Sequence, residues 1–405
     1  MILVWEANEQ DYNMRLIKMI LLIMVFSPSA CSPIRTARIV YTKAMGFPER
    51  KSYSYSNFDY RPDFELGFSS NDEIMLSFYQ RSKRPASIDK NATDTSEMSF
   101  VVLLISKESG KLITKKEWPI PGKPNFLDLK KYYHRIFPLP DGGYVLLFNR
   151  NLQVLDSSLN IIHEKILDSF PKGYLYNSIY VPLHGPYFVL CQGLECVIID
   201  YAAFKEVEKI DISKMQIRGI YEDKFLIHSS DENDNNINYL FEKKIGNVDS
   251  YSEFKLKINR SESETYLYDG SAMVFSNSNH TPYWFTIKNG ETSNPVFVYE
   301  KDAVLSGLFM PALFARGPSP ARSAPVVAIS ASKDRGWDLG LTSWVIVYDI
   351  NTQQILKQTR NYNDFDYALS SDGRILAIFN EKKGTIKLYD IPAPDNVPAT
   401  DSKKE

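Results

Sequence analysis

The chain has 405 residues, 44% hydrophobic and 24% charged, values of a folded globular protein that exclude collagen-like, low-complexity and strongly charged disordered chains. Its 47 basic and 49 acidic residues leave a formal charge of −2. That balance gives no global attraction to nucleic acid, and no nucleic-acid partner is expected.

The segment MRLIKMILLIMVF, starting at Met14, sets Arg15 and Lys18 before a short apolar core from Met19 to Phe26, and SPSAC follows. The core is shorter than the roughly 20 residues a membrane-spanning helix needs. Residues 1–30 therefore read as a secretory signal peptide, with Met14 as an alternative start. Cys31 directly follows Ala30, which resembles the processing site of a bacterial lipoprotein, although Pro28 stands where that motif favours Leu. Lipidation of Cys31 is the leading expectation; cleavage after Ser29 and an uncleaved anchor are the alternatives. Two acyl chains on Cys31 would anchor the chain stably to a membrane. This reading places the protein in the bacterial cell envelope, as a periplasmic or outer-membrane lipoprotein.

From Asn71 onward a strand signal returns seven times. Each unit opens on a turn and a short apolar strand: NDEIMLSF from Asn71, DGGYVLLF from Asp141, GPYFVL from Gly185, EDKFLIHS from Glu222, DGSAMVF from Asp269, APVVAIS from Ala324 and SDGRILAIF from Ser371. A second strand follows in each unit and ends near Ser106, Asp156, Asp200, Lys243, Asn289, Asp349 or Asp390, spaced roughly 41 to 60 residues apart. The 25 Tyr and 23 Phe suit pleated, half-buried surfaces. Together these features predict an all-β fold, a β-propeller of seven blades with four antiparallel strands each, spanning residues 31–391. The weaker middle units near Lys243 and Asn289 leave six or eight blades open.

ARIVYTK, near Ile39 to Lys43, could supply the outer strand of the last blade and close the ring; the alternative is a plain linker. Closure would remove exposed edges. The tail 392–405 is Pro-rich, cannot easily add a central strand, and is expected to be disordered. Residues 81–97 and 309–325 read as exposed loops from their Pro, Gly and charged content.

Chemical motifs are scarce. No nucleophile elbow, zinc-protease helix motif or phosphate loop is present. His134, His163, His184, His228 and His280 are scattered singly and read as ordinary core or surface histidines. Cys191 and Cys196, in FVLCQGLECVII, would face each other in a two-residue hairpin, close enough for a disulfide; two buried reduced thiols are the alternative. DENDNN, from Asp231, reads as a solvated turn rather than a calcium loop. Arg335 and Trp337 fall in a predicted loop, and both types are enriched at interaction hot spots, which makes them a candidate partner contact. The alternative is a Trp packed back on its blade. No metal and no cofactor is expected.

The unit SDGRILAIFNEKKGTIKLYDI resembles a blade of the broad WD-repeat and YVTN-type group of secreted bacterial propellers. The stretch from Val326 to Ile391, with a charged Trp-containing loop, an apolar strand ending in Asp and an Asp-Gly blade, resembles the heavy chain of quinoprotein amine dehydrogenases. That family's redox cofactor belongs to its light chain, so the resemblance implies a periplasmic propeller and transfers no catalytic residue. The favoured reading is a binding scaffold for a protein partner in the envelope. The alternatives are a noncatalytic dehydrogenase subunit, a hydrolase or lactonase with its site in the central channel, and, lower, a carbohydrate binder.

Overall fold

A computed structural model describes residues 37–47, 64–81, 98–120, 134–148, 151–167, 177–213, 215–230, 237–246, 251–259, 263–278, 281–297, 303–305, 318–334, 341–361 and 365–393. Ile39–Glu405 forms one compact unit; of the separate unit Met1–Arg38 only residues 37 and 38 are described.

Seven antiparallel sheets follow one another along the chain. Blade 1 is built from Phe64–Phe68, Ile74–Arg81, Met98–Ile105 and Leu112–Ile120. Blade 2 comprises Arg135–Pro138, Tyr144–Phe148, Asn151–Leu155 and Ile161–Ile166; blade 3 comprises Asn177–Tyr180, Tyr187–Gln192, Glu195–Asp200 and Lys205–Asp211. Blade 4 uses Met215–Tyr221, Lys224–Ser230, Ile237–Lys244 and Tyr251–Asn259. In blade 5, Ser263–Tyr266, Ala272–Ser278 and Thr281–Lys288 are followed by two short pieces, Glu291–Thr292 and Val296–Phe297, which both pair with the third strand. Blade 6 splits its first strand instead: Ala303–Leu305 and Ser319–Pro320 both pair with Val326–Asp334, before Leu341–Asp349 and Ile355–Asn361. Blade 7 takes Phe365–Leu369, Ile375–Asn380 and Thr385–Asp390, and its fourth strand is Arg38–Tyr41 from the other end of the chain. The fold is an all-β, seven-bladed propeller.

Hydrophobic burial builds the ring. Successive residues of a strand point to opposite faces, and the second and third strands of each blade have neighbours on both faces. Their central residues are therefore apolar, as in YVLLF and ILAIF, while blades 4 and 5 carry more polar residues towards the strand ends. In Ile74–Arg81, Ile74, Leu76 and Phe78 pack with Ala377 and Phe379 of blade 7, while Met75 and Tyr79 pack with Tyr144 and Leu146 of blade 2. The remaining five clusters join blades 2 to 3, 3 to 4, 4 to 5, 5 to 6 and 6 to 7. Seven clusters for seven blade junctions mean that the circle is closed by the same apolar contacts that build it. At the join, Val40 is 4% exposed within the blade 7 to blade 1 cluster, and the Thr42 N–H and hydroxyl both donate to the Gly384 carbonyl.

All seven predicted strand ends, from Ser106 to Asp390, lie at or next to the end of a third strand. Part of the 309–325 segment departs from its reading as an exposed loop. Residues 309–317 lie outside the described residues, but Ala321 is 1% exposed and Arg322 is drawn into the ring, because a lengthened turn before Val326 folds over the blades rather than away from them. The connection 82–97, the DENDNN turn at 231–236 and the tail from 394 lie outside the described residues.

Candidate functional site

First strands stand side by side around the ring, as Phe64–Phe68 does with Phe365–Leu369 and Met215–Tyr221 with Ser263–Tyr266. Their turns into the second strands therefore open on one face. Six of these turns place a residue in the left-handed region: Asp72 (φ +62°) and Glu222 (+51°), and the glycines Gly142 (+105°), Gly185 (+108°), Gly270 (+77°) and Gly373 (+69°). Glycine occupies that region without steric cost, and this is why Asp-Gly or a Gly marks so many units. Aspartates fold these turns and those from third to fourth strands. Asp141 Oδ1 accepts the Gly143 N–H, Asp156 Oδ1 those of Ser158 and Asn160, and Asp200 Oδ1 those of Ala202 and Ala203.

Arg322 of blade 6 reaches across to blades 2 and 3 on this face. Its guanidinium donates to the carbonyls of Leu139 (3.2 Å) and Pro138 (3.0 Å) in blade 2, while its own carbonyl accepts from His184 Nε2 of blade 3 at 2.7 Å. Beside it, Ser323 donates through both N–H and hydroxyl to the Ser371 carbonyl of blade 7. The Ser371 N–H donates in turn to Asp72 of blade 1, whose other oxygen pairs with Lys107 at 2.7 Å. The blade 6 turn is thus tied to blades 2, 3 and 7, and through blade 7 to blade 1. Burial lowers the Arg322 pKa to about 10, against the pull of Asp72, Tyr144, Tyr201 and Asp141, so the strut stays cationic at neutral pH.

Next to this strut a cleft of about 270 Å³ opens between blades 2 and 3. Leu139, Val154, Leu155 and Ile162 form its apolar lining, Tyr201 and His163 add rings, and Asp141 and Asp156 add carboxylates. His163 stacks on Phe204 with rings 5.2 Å apart and nearly parallel. The Tyr201 hydroxyl donates to the Gly185 carbonyl. Burial, then the charges of Asp141 and Asp200, push the Tyr201 phenol up to about 12. Hydrogen bonds from Asn160 and Ser158 hold Asp156 below the usual carboxylate range, with Lys116 assisting.

A second polar group bridges blades 4 and 5. Arg218 sits at a bulge in its strand and donates to His228 Nδ1 (3.0 Å from Nη2). Its Nε lies 3.3 Å from Glu264 Oε2. Since Nδ1 accepts, the His228 proton sits on Nε2. Burial, then the Arg218 charge, lower the His228 pKa to about 4.

Cys191 and Cys196 are direct cross-strand partners in blade 3 and form a disulfide, with Cα atoms 3.9 Å apart, inside the blade 3 to blade 4 core. The histidines go separate ways: His134 is buried among Phe100 and Phe148, His163 lines the cleft, His184 holds the Arg322 carbonyl and His228 meets Arg218. Cys31, Arg335, Trp337 and His280 lie outside the described residues. Among the described residues no group of three or more His, Cys, Asp or Glu is gathered to hold a metal ion. Sequence reading missed the strut and the cleft as sites. Asp141, Asp156 and Asp200 were visible as turn markers, but only the ring brings those of blade 2 beside that of blade 3.

No family model matches the chain, and no curated protein matches its sequence. Among solved structures it is similar to Kluyveromyces lactis Hsv2p (12% identity, 83% of this chain and 94% of that one, TM-score 0.46). It is also similar to Kuenenia stuttgartiensis hydrazine synthase (11%, 84% and 99%, TM-score 0.47) and to the WD40 domain of Neurospora crassa Pan2 (11%, 88% and 95%, TM-score 0.44). At these identities none of the likenesses assigns an activity to the chain.

Proposed function

We propose that the protein is an exported, lipid-anchored scaffold that binds a protein partner of the bacterial cell envelope through the turn face of its propeller. The observation that carries the reading is the cleft between blades 2 and 3, on a face where the chain's own Arg322 turn ties blade 6 to blades 2 and 3. Loops on a rigid frame are where binding residues concentrate, and seven interlocked apolar junctions make such a frame. Export rests on the signal-like segment from Met14 and on SPSAC; a disulfide at Cys191 and Cys196 suits an oxidising compartment.

The test is affinity capture with the chain from crosslinked native envelopes, alongside labelling with a fatty-acid analogue. A stoichiometric partner and a label lost in Cys31→Ser are expected; no partner would end the scaffold reading, and an unlabelled wild type the lipid anchor. A second reading, a noncatalytic subunit of a quinone-dependent amine dehydrogenase, draws on the resemblance of Val326 to Ile391 to that heavy chain. A captured partner bearing a quinone cofactor would favour it.

A further inference from the structure

We propose that the cleft between blades 2 and 3 receives a lysine or arginine side chain from an extended segment of the partner, an assignment that rests on the scaffold reading. Three observations converge on this occupant. The first is size. About 270 Å³ falls just under the roughly 300–1,000 Å³ of pockets that hold whole small ligands, and it suits one long side chain.

The second is the order of the lining. Leu155 and Ile162 offer apolar surface for a methylene stem, the rings of Tyr201 and His163 add aromatic lining, and Asp141 offers a carboxylate to a cation. Asp141 Oδ1 is engaged by the Gly143 N–H, and Oδ2 has no hydrogen-bond partner among the described residues. Asp141 and Asp156, which line the cleft, make no salt bridge among those residues, and an anion would meet both. The nearest guanidinium, Arg322, is turned to the Leu139 and Pro138 carbonyls. The Tyr201 phenol, raised first by burial, is pushed further upward by Asp141 and Asp200, with Arg322 pulling the other way.

The third observation selects a peptide over a free amine. The cleft runs onto the fourth strand of blade 2, where Ile161, Ile162 and Ile166 are 51%, 55% and 70% exposed. That strand is the outer edge of its sheet, so its outer backbone groups and apolar side chains can receive an extended chain. A small free cation would use none of that surface.

The experiment uses the full chain, a capped peptide Val-Thr-Lys-Val-Thr and a carbodiimide, which joins a carboxylate to an amine held against it. Mass spectrometry reads the rate of adduct formation at Asp141 against the exposed Glu291 and Asp211. Preferential labelling of Asp141 by about fivefold or more is expected, falling toward the control rate in Ile162→Ser, whose backbone and carboxylates are intact. Equal rates at Asp141 and the controls would overturn the assignment. So would an equal preference with n-butylamine in place of the peptide, which would indicate a site for free amines. The result does not depend on the envelope capture: a partner bound without Asp141 preference ends the cleft assignment alone, and Asp141 preference with no captured partner ends the envelope scaffold alone.

Discussion

At the level of single residues, His228 shows how burial and one neighbour decide protonation. The imidazole is 6% exposed and accepts from Arg218, so a second proton would be both desolvated and repelled. Its pKa falls from 6.5 to about 4 in the folded protein. Between those values the unfolded chain binds more protons than the folded one, and stability falls as pH falls from 6.5 through about 4. The loss attributable to His228 approaches about 3 kcal/mol at the acid end. His228→Gln keeps an acceptor for Arg218 and cannot titrate. Denaturant unfolding of both proteins between pH 7 and 4 is expected to give a shallower pH dependence for the variant, and identical slopes would refute the account. This group was invisible in the sequence, because His228 and Glu264 belong to different blades and neither stands in a motif.

Among the elements, the first turns of the blades are the most legible and the least tolerant. Gly185 stands in the left-handed region, and a Cβ there would come 2.5 Å from Glu222 Cα, across the blade 3 to blade 4 junction where the Glu222 N–H donates to the His184 carbonyl. Gly246 has φ +76° and open space around it. Gly185→Ala is therefore expected to cost more than about 3 kcal/mol and Gly246→Ala about 1, as thermal unfolding would show. Similar losses would mean that φ alone matters and that the close approach does not. The repeated turn and apolar run made the second and third strands readable, because both faces of those strands are buried and the composition has little freedom. First and fourth strands were harder. The fourth strand of blade 2, IIHEKI, is mostly exposed, and blade 6 begins in two pieces, so neither leaves a simple pattern.

For the whole molecule, the ring depends on Arg38–Tyr41 joining blade 7. The sequence raised this pairing as one of two alternatives, and the structure selects it. Val40→Asp would bury a charge among Phe47, Ile386 and Leu388. It is expected to lower the unfolding temperature by several degrees and to promote self-association through the freed edge of Thr385–Asp390. Ile39→Asp, at a side chain 48% exposed, should change neither. Calorimetry and size-exclusion chromatography would check both, and a Val40→Asp protein as stable and monomeric as wild type would mean that the closure contributes little. The ring itself was legible because each unit repeats the same burial problem; the strut and cleft were not, since they arise only when distant turns meet. The same closure also sets a clock on biosynthesis. Thr42 meets Gly384 across 342 positions, and at about 5–20 residues per second the ribosome needs roughly 17 to 70 seconds to travel between them. Throughout that interval the first strand has no strand to pair with, and the synthesis of the last blade is what releases it from waiting.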